Sequence, residues 1–101
     1  MENTLKLLDL LEKLSIRATM FIQGNFAETY PAVVRKIAVA GHEIACHGYG
    51  HIEIFKQTPD DFRHDVLTAQ KVIENITGTR VGGYRAPDFS IIRSTLWALE
   101  I

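Results

Sequence analysis

With one cysteine in 101 residues, Cys46, the chain can form no internal disulfide, so its fold must rest on packing and backbone hydrogen bonding. It also lacks an excess of charge of one sign, 11 Lys+Arg standing against 12 Asp+Glu. Nucleic-acid and anionic-membrane surfaces need a basic excess on one face, and neither partner is expected here. No apolar run approaches the ~18 residues that span a bilayer. The leucine-rich start carries Glu2, Lys6, Asp9, Glu12 and Lys13 at helical intervals, which reads as an amphipathic helix and not a signal peptide. A cytoplasmic chain is the expectation, and a lone thiol is compatible with a reducing compartment. Linkers, low-complexity tracts and clear internal repeats are missing as well. What remains is 47% hydrophobic and 23% charged, which suits one packed domain over residues 1–101.

The apolar periodicity alternates between helix and strand. Residues 3–14 predict a first helix, with Asn3 or Thr4 as N-cap and Leu7, Leu8, Leu11 and Leu14 on one stripe. Residues 18–22 read as a buried strand ended by Gln23-Gly24-Asn25. Asn25 and Glu28 form a candidate capping box for a second helix, with Pro31 in its first turn and Gly41 as its stop. Ile44-Ala45-Cys46 is a short strand buried on both faces. Residues 52–55 are too short a run to assign.

Thr58-Pro59-Asp60-Asp61 is the sharpest local signal. A Thr cap, Pro at the first helical position and acids in the first turn open a helix along Phe62, Val66, Ala69, Ile73 and Ile76 that Gly78 stops. Residues 81–84 predict a third strand, and Ser90 offers a cap for a last helix bearing Ile92, Leu96, Trp97 and Leu99. That pattern still runs at Ile101, so a longer domain is the expectation. Strands separated by helices imply an α/β fold of parallel βα units, because parallel strands need crossovers.

Chemistry is expected at the carboxyl ends of such strands. His47 and His51 follow the second strand, and Arg85 and Asp88 follow the third. Two glycines between the histidines argue against a regular helix and for a tight loop. Such a loop can bring both imidazoles to one divalent ion, or can simply hydrogen-bond them to backbone. The residues alone leave both readings open. His42 and His64 are read as structural, at a strand entry and on a solvent-facing helix side. Tyr49 is a candidate for lining the cleft.

Three stretches together resemble the polysaccharide deacetylases of carbohydrate esterase family four. Arg17-Ala18-Thr19-Met20-Phe21-Ile22-Gln23-Gly24 is similar to the second barrel strand of that family, His47-Gly48-Tyr49-Gly50-His51 to its H-x-x-x-H metal motif, and Gly83-Tyr84-Arg85-Ala86-Pro87-Asp88-Phe89 to its R-x-P segment. Their order and separations match over nearly the whole chain. The resemblance implies a distorted (β/α) TIM-like barrel, a divalent metal that is usually zinc, and removal of N- or O-acetyl groups from a polysaccharide or oligosaccharide. It implies His47 and His51 as metal ligands and Arg85 as the catalytic residue that orients a base carboxylate. Pro87 would shape the groove wall, and Tyr49, Asp88 and Phe89 join it as candidate substrate contacts.

The chain departs from the family pattern in two places. The family places an aspartate pair on a strand before the first helix, supplying the third metal ligand and the general base. It also has later segments with a groove Trp and a general-acid His. Neither is found here, and Trp97 is read as core. Asp88 is expected to pair with Arg85 at the surface, an interaction worth under ~1 kcal/mol, and not to replace the base. A partial active site follows, with little turnover by these residues alone. A non-catalytic glycan-binding or interaction module is the alternative. Open sheet edges imply self-association.

Overall fold

The computed structural model describes residues 2–101. Helix α1 (Glu2–Lys13) precedes strand β1 (Thr19–Ile22). Helices α2 (Gly24–Thr29) and α3 (Pro31–Val39) lead to strand β2 (Glu43–Cys46), and the long helix α4 (Pro59–Thr77) follows. Three 3₁₀ segments complete the chain, Ile54–Lys56, Pro87–Phe89 and Arg93–Glu100. Among the described residues no helix is long and apolar enough to cross a membrane.

β1 and β2 pair in parallel, with Thr19 opposite Glu43 and Ile22 opposite Cys46. The expected third strand is reduced to one bridge between Cys46 and Tyr84. Gly82 and Gly83 bring no side chains to pack on a pleated surface, and the Val81 N–H turns away from the sheet to a carboxylate of α4. The described residues therefore form an α/β layer with a two-stranded parallel sheet, and they do not close a barrel.

Helix α4 is the scaffold under this sheet. Its start is as the sequence predicts, with Thr58 Oγ1 accepting the Asp61 N–H at 3.1 Å and Pro59 in the first turn. Gly78 ends it at φ 71, a conformation that glycine adopts without steric cost. Its inner face buries Phe62, Ala69 and Ile73. Ile73 joins Leu8, Ile22, Ala27, Val33, Val34, Ile37 and Ile44 in the main core. Truncating such a side chain to Ala typically costs about 2–5 kcal/mol.

Four expectations are corrected by the backbone. The helix predicted from Asn25 to Gly41 is two helices, because proline disfavours helical geometry in the residue before it and Tyr30 sits at φ −127, ψ 59. The Asn25–Glu28 capping box does not form. Gln23 is the N-cap of α2, without a side-chain cap bond, and the Asn25 N–H serves Tyr49 O instead. Asn3 and Thr4 lie inside the first turn of α1, and of its predicted stripe Leu8 is buried while Leu7 and Leu14 are exposed. Finally, Ser90 caps no α-helix. It is buried with Oγ unpartnered, and Thr95 Oγ1 organises the 3₁₀ segment by donating to Ser90 O at 2.7 Å and accepting from Ile92 N–H at 2.8 Å.

Glu74 ties α4 to the segment that carries Tyr84 and Arg85. Its Oε2 accepts from Val81 N–H at 2.7 Å and from Gln70 Nε2 at 3.2 Å. The Val81 N–H, foremost, and Gln70 hold the carboxyl below its ordinary value of 4.5. A depressed carboxyl pKa contributes stability that is present above the unfolded value and is lost as pH falls through the folded one. Glu74→Gln is expected to lower the thermal midpoint at pH 7, with the difference from wild type shrinking towards zero below about pH 4. A difference that is the same at pH 7 and pH 3 contradicts this role.

Candidate active site

The sheet ladder continues past its last strand residues and places the histidine loop. His47 N–H donates to Ile22 O at 2.9 Å, Gly24 N–H to Gly48 O at 2.8 Å, and Asn25 N–H to Tyr49 O at 3.1 Å. On the other side of β2, Cys46 N–H donates to Gly83 O at 2.8 Å and Arg85 N–H to Cys46 O at 2.9 Å. Residues from both flanks of β2 therefore leave the sheet at one edge. Gly48 turns the chain there at φ 72, and a Cβ on it would lie 3.0 Å from Asp65 Oδ2, so both conformation and space call for glycine.

His47 Nδ1 lies 2.7 Å from Arg85 O. A carbonyl can only accept, so Nδ1 carries the proton in the neutral ring and Nε2 is left with its lone pair. The His51 ring stands edge-on, 4.9 Å away between centroids at 68°. Both rings are half-buried and share a cleft of about 660 Å³ with Arg85, Ala86, Asp88 and Phe89. The two imidazoles are close enough to serve one ion, and a backbone carbonyl orienting one of them is the usual arrangement behind a histidine ligand. Among the described residues, no group of three His, Cys, Asp or Glu is gathered to hold a metal.

Arg85 lines the same cleft and has no carboxylate partner among the described residues, whose ion pair is Lys56 with Glu53 at 3.2 Å. Its guanidinium carbon lies 4.2 Å from the Phe21 ring centroid, a cation–π contact worth about 0.5–1 kcal/mol at an exposed site. The expected Arg85–Asp88 pair does not form. The Glu53 carboxyl is held below the usual range first by its own backbone N–H, then by Lys56 and by Asp88. Pro87 is buried beneath the segment, while Phe89 is 96% exposed at the rim. Asp88 and Phe89 both lie in the left-handed region, at φ 52 and φ 53. Non-glycine residues held there cost on the order of 1–3 kcal/mol each and concentrate at functional sites.

Tyr49 is placed apart from this cleft. Its carbonyl is taken by Asn25 and its N–H by Asp65, which turns the side chain over Gly24 and into a second depression with Lys56, Asp61, His64 and Thr68. Its hydroxyl pKa is raised, chiefly by a hydrogen bond with Glu28. Cys46 is buried in β2 and burial pushes its thiol up, as for an inert core cysteine. Trp97 packs with its ring 5.7 Å from Phe62. His42 is buried and its Nδ1 accepts the Ala18 N–H at 3.1 Å, and His64 is exposed on α4.

Two neighbours of the site were not singled out from sequence. Phe21 reads as an ordinary strand residue, with no signal of its contact to Arg85. Asp65 had one: it falls three residues after Phe62 and four before Ala69, an acid on the side of α4 that is otherwise apolar.

The sequence model for polysaccharide deacetylases matches residues 1–100. The chain belongs to the polysaccharide deacetylase family. It is 33% identical over 101 residues to a peptidoglycan-N-acetylglucosamine deacetylase of Bacillus cereus, covering 99% of this chain and 37% of that protein. It is 34% identical over 93 residues to a peptidoglycan deacetylase of Helicobacter pylori, covering 90% of this chain and 32% of the relative. Among solved structures, the Bc1960 peptidoglycan N-acetylglucosamine deacetylase superposes with a TM-score of 0.91 at 31% identity, over 99% of this chain and 47% of that one. The chain spans about a third of the length of the curated relatives it matches.

His47 and His42, at the two ends of β2, are predicted to hold opposite tautomers. His47 donates from Nδ1 to a carbonyl, whereas His42 accepts at Nδ1 from an N–H. Long-range ¹H–¹⁵N correlation spectra above pH 8, without metal, should show Nδ1–H for His47 and Nε2–H for His42. The same tautomer in both rings contradicts this geometry.

Proposed function

We propose that this chain forms the histidine side of the active site of a zinc-dependent deacetylase that removes acetyl groups from a glycan, within the distorted barrel that its family builds. The observation that carries the reading is the pairing of His47 and His51 at the edge where Arg85 emerges, with His47 Nε2 freed by the Arg85 carbonyl. Both imidazoles would hold the ion. When bound, a divalent metal polarises the acetyl carbonyl and lowers the pKa of a water, so that hydroxide is available near neutral pH. Water is consumed, and acetate and a free amine or hydroxyl are released.

The side chains of this chain do the rest of what falls to them. The Arg85 fork, lying over Phe21 and without a carboxylate partner among the described residues, is disposed to orient the carboxylate of the general base. Pro87, Asp88 and exposed Phe89 shape the groove for the sugar. Kinship with peptidoglycan and chitooligosaccharide deacetylases supports an N-acetylated glycan as the substrate class. A second reading, a glycan-binding module without catalysis, draws on the absence of a third clustered ligand among the described residues.

Zinc titration calorimetry on the chain, with acetate release from N-acetylated chitooligosaccharide, separates the readings. One zinc is expected, with affinity falling at least ~10-fold in His47→Ala and in His51→Ala. Acetate release should be slow, ~10²- to 10⁴-fold below hydrolysis assisted by a general acid and base, and Arg85→Lys should leave zinc affinity intact. Light scattering on the same sample should read a mass above 11.4 kDa if open strand edges pair. Zinc affinity indifferent to both histidines contradicts the metal reading, and glycan binding without zinc-dependent release favours the module.

A further inference from the structure

His47 is fixed directly, by its N–H on Ile22 O and its Nδ1 on Arg85 O. His51 is not. Its side chain makes no hydrogen bond among the described residues, and its backbone sits in the left-handed region at φ 58. The position of its ring therefore follows from the path of Gly48-Tyr49-Gly50. That path is pinned from two helices. Gly24 and Asn25, at the start of α2, donate to Gly48 O and Tyr49 O, and Asp65 Oδ2 on α4 accepts the Tyr49 N–H at 3.0 Å.

The Asp65 contact differs from the other two. It is a hydrogen bond to a carboxylate acceptor, which is stronger than one to a neutral group, and it comes from a half-buried residue on the long helix α4. Loop and carboxylate are also in close approach, since a Cβ on Gly48 would lie 3.0 Å from the same Oδ2.

We propose that Asp65 is a positioning residue, whose acceptance of the Tyr49 N–H fixes the turn that sets His51 against His47 so that both imidazoles face one divalent ion. The inference rests on the reading of His47 and His51 as metal ligands and adds to it the residue that spaces them. Asp65 touches neither the ion nor the substrate. It acts through the backbone of the loop, as outer partners of metal ligands do.

The test uses two readouts on the 101-residue chain, hydrogen exchange of the Tyr49 amide without metal and zinc affinity by calorimetry. Asp65→Ala should speed Tyr49 exchange at least ~10-fold and weaken zinc binding ~10- to 100-fold, the usual range for a lost outer partner. Asp65→Leu, which keeps the side-chain bulk without an acceptor, should do the same, and it carries the test should Asp65→Ala fail to fold. Asp65→Asn keeps an acceptor and should recover most of both readouts. Ile73→Val removes a core methylene far from the loop, and should lower the thermal midpoint without moving either. Wild-type exchange and zinc affinity in Asp65→Ala, with His47→Ala still weakening zinc, overturn the inference and leave the metal reading standing. Equal zinc affinity in wild type and His47→Ala overturns the metal reading and the inference with it.

Discussion

The parallel pairing that sets Cys46 opposite Ile22 is the constraint on which the site depends. Cys46 is flanked on both sides: Ile22 of β1 stands opposite it in the ladder, and its own N–H and C=O bond to Gly83 O and the Arg85 N–H. One register therefore fixes where the histidine loop and the Arg85 segment leave the sheet. A slip by one residue would send every β2 side chain to the other face, turning exposed Glu43 towards the side on which Ile44 is now buried. Because Arg85 O is the carbonyl that His47 Nδ1 meets, the same register also sets which nitrogen of His47 is left free.

Stability and strain are divided between the helices and the loops of this layer. The helices α3 and α4 bury Val34, Ile37, Ala69 and Ile73 against the sheet, and the loops at its carboxyl edge hold His51, Asp88 and Phe89 in left-handed conformations. Backbone held in that region persists where surrounding contacts over-determine it. Here those contacts are Pro87 beneath the Arg85 segment and Asp65, Gly24 and Asn25 around the histidine loop. The packed helices support the strained loops, and the side chains proposed for metal and carboxylate binding sit on those loops.

Much of this was legible in the residues because the signals were local. Thr58-Pro59 and Gly78 bound α4 by capping and by a left-handed stop, and the β-branched and apolar runs mark both strands. The break at Tyr30–Pro31 was equally local but competed with a continuous apolar pattern, and the steric clash of the proline ring prevailed. The remaining departures were not local. Whether residues 81–84 form a strand depends on where the Val81 N–H goes, and it goes to Glu74. Tyr49 turns away from the cleft because α2 and α4 claim both of its backbone groups, and the Phe21–Arg85 contact spans two strands. No window of sequence contains such partners.

The central claim is that His47 and His51 act as a pair on one ion at the carboxyl edge of the sheet. X-ray absorption at the zinc edge, on the chain loaded with one equivalent, addresses it directly. The account predicts nitrogen or oxygen neighbours at about 2.0–2.1 Å with the outer scattering of two imidazoles, falling to one imidazole in His51→Ala. A sulfur neighbour at about 2.3 Å, or an imidazole count unchanged by His51→Ala, would contradict it.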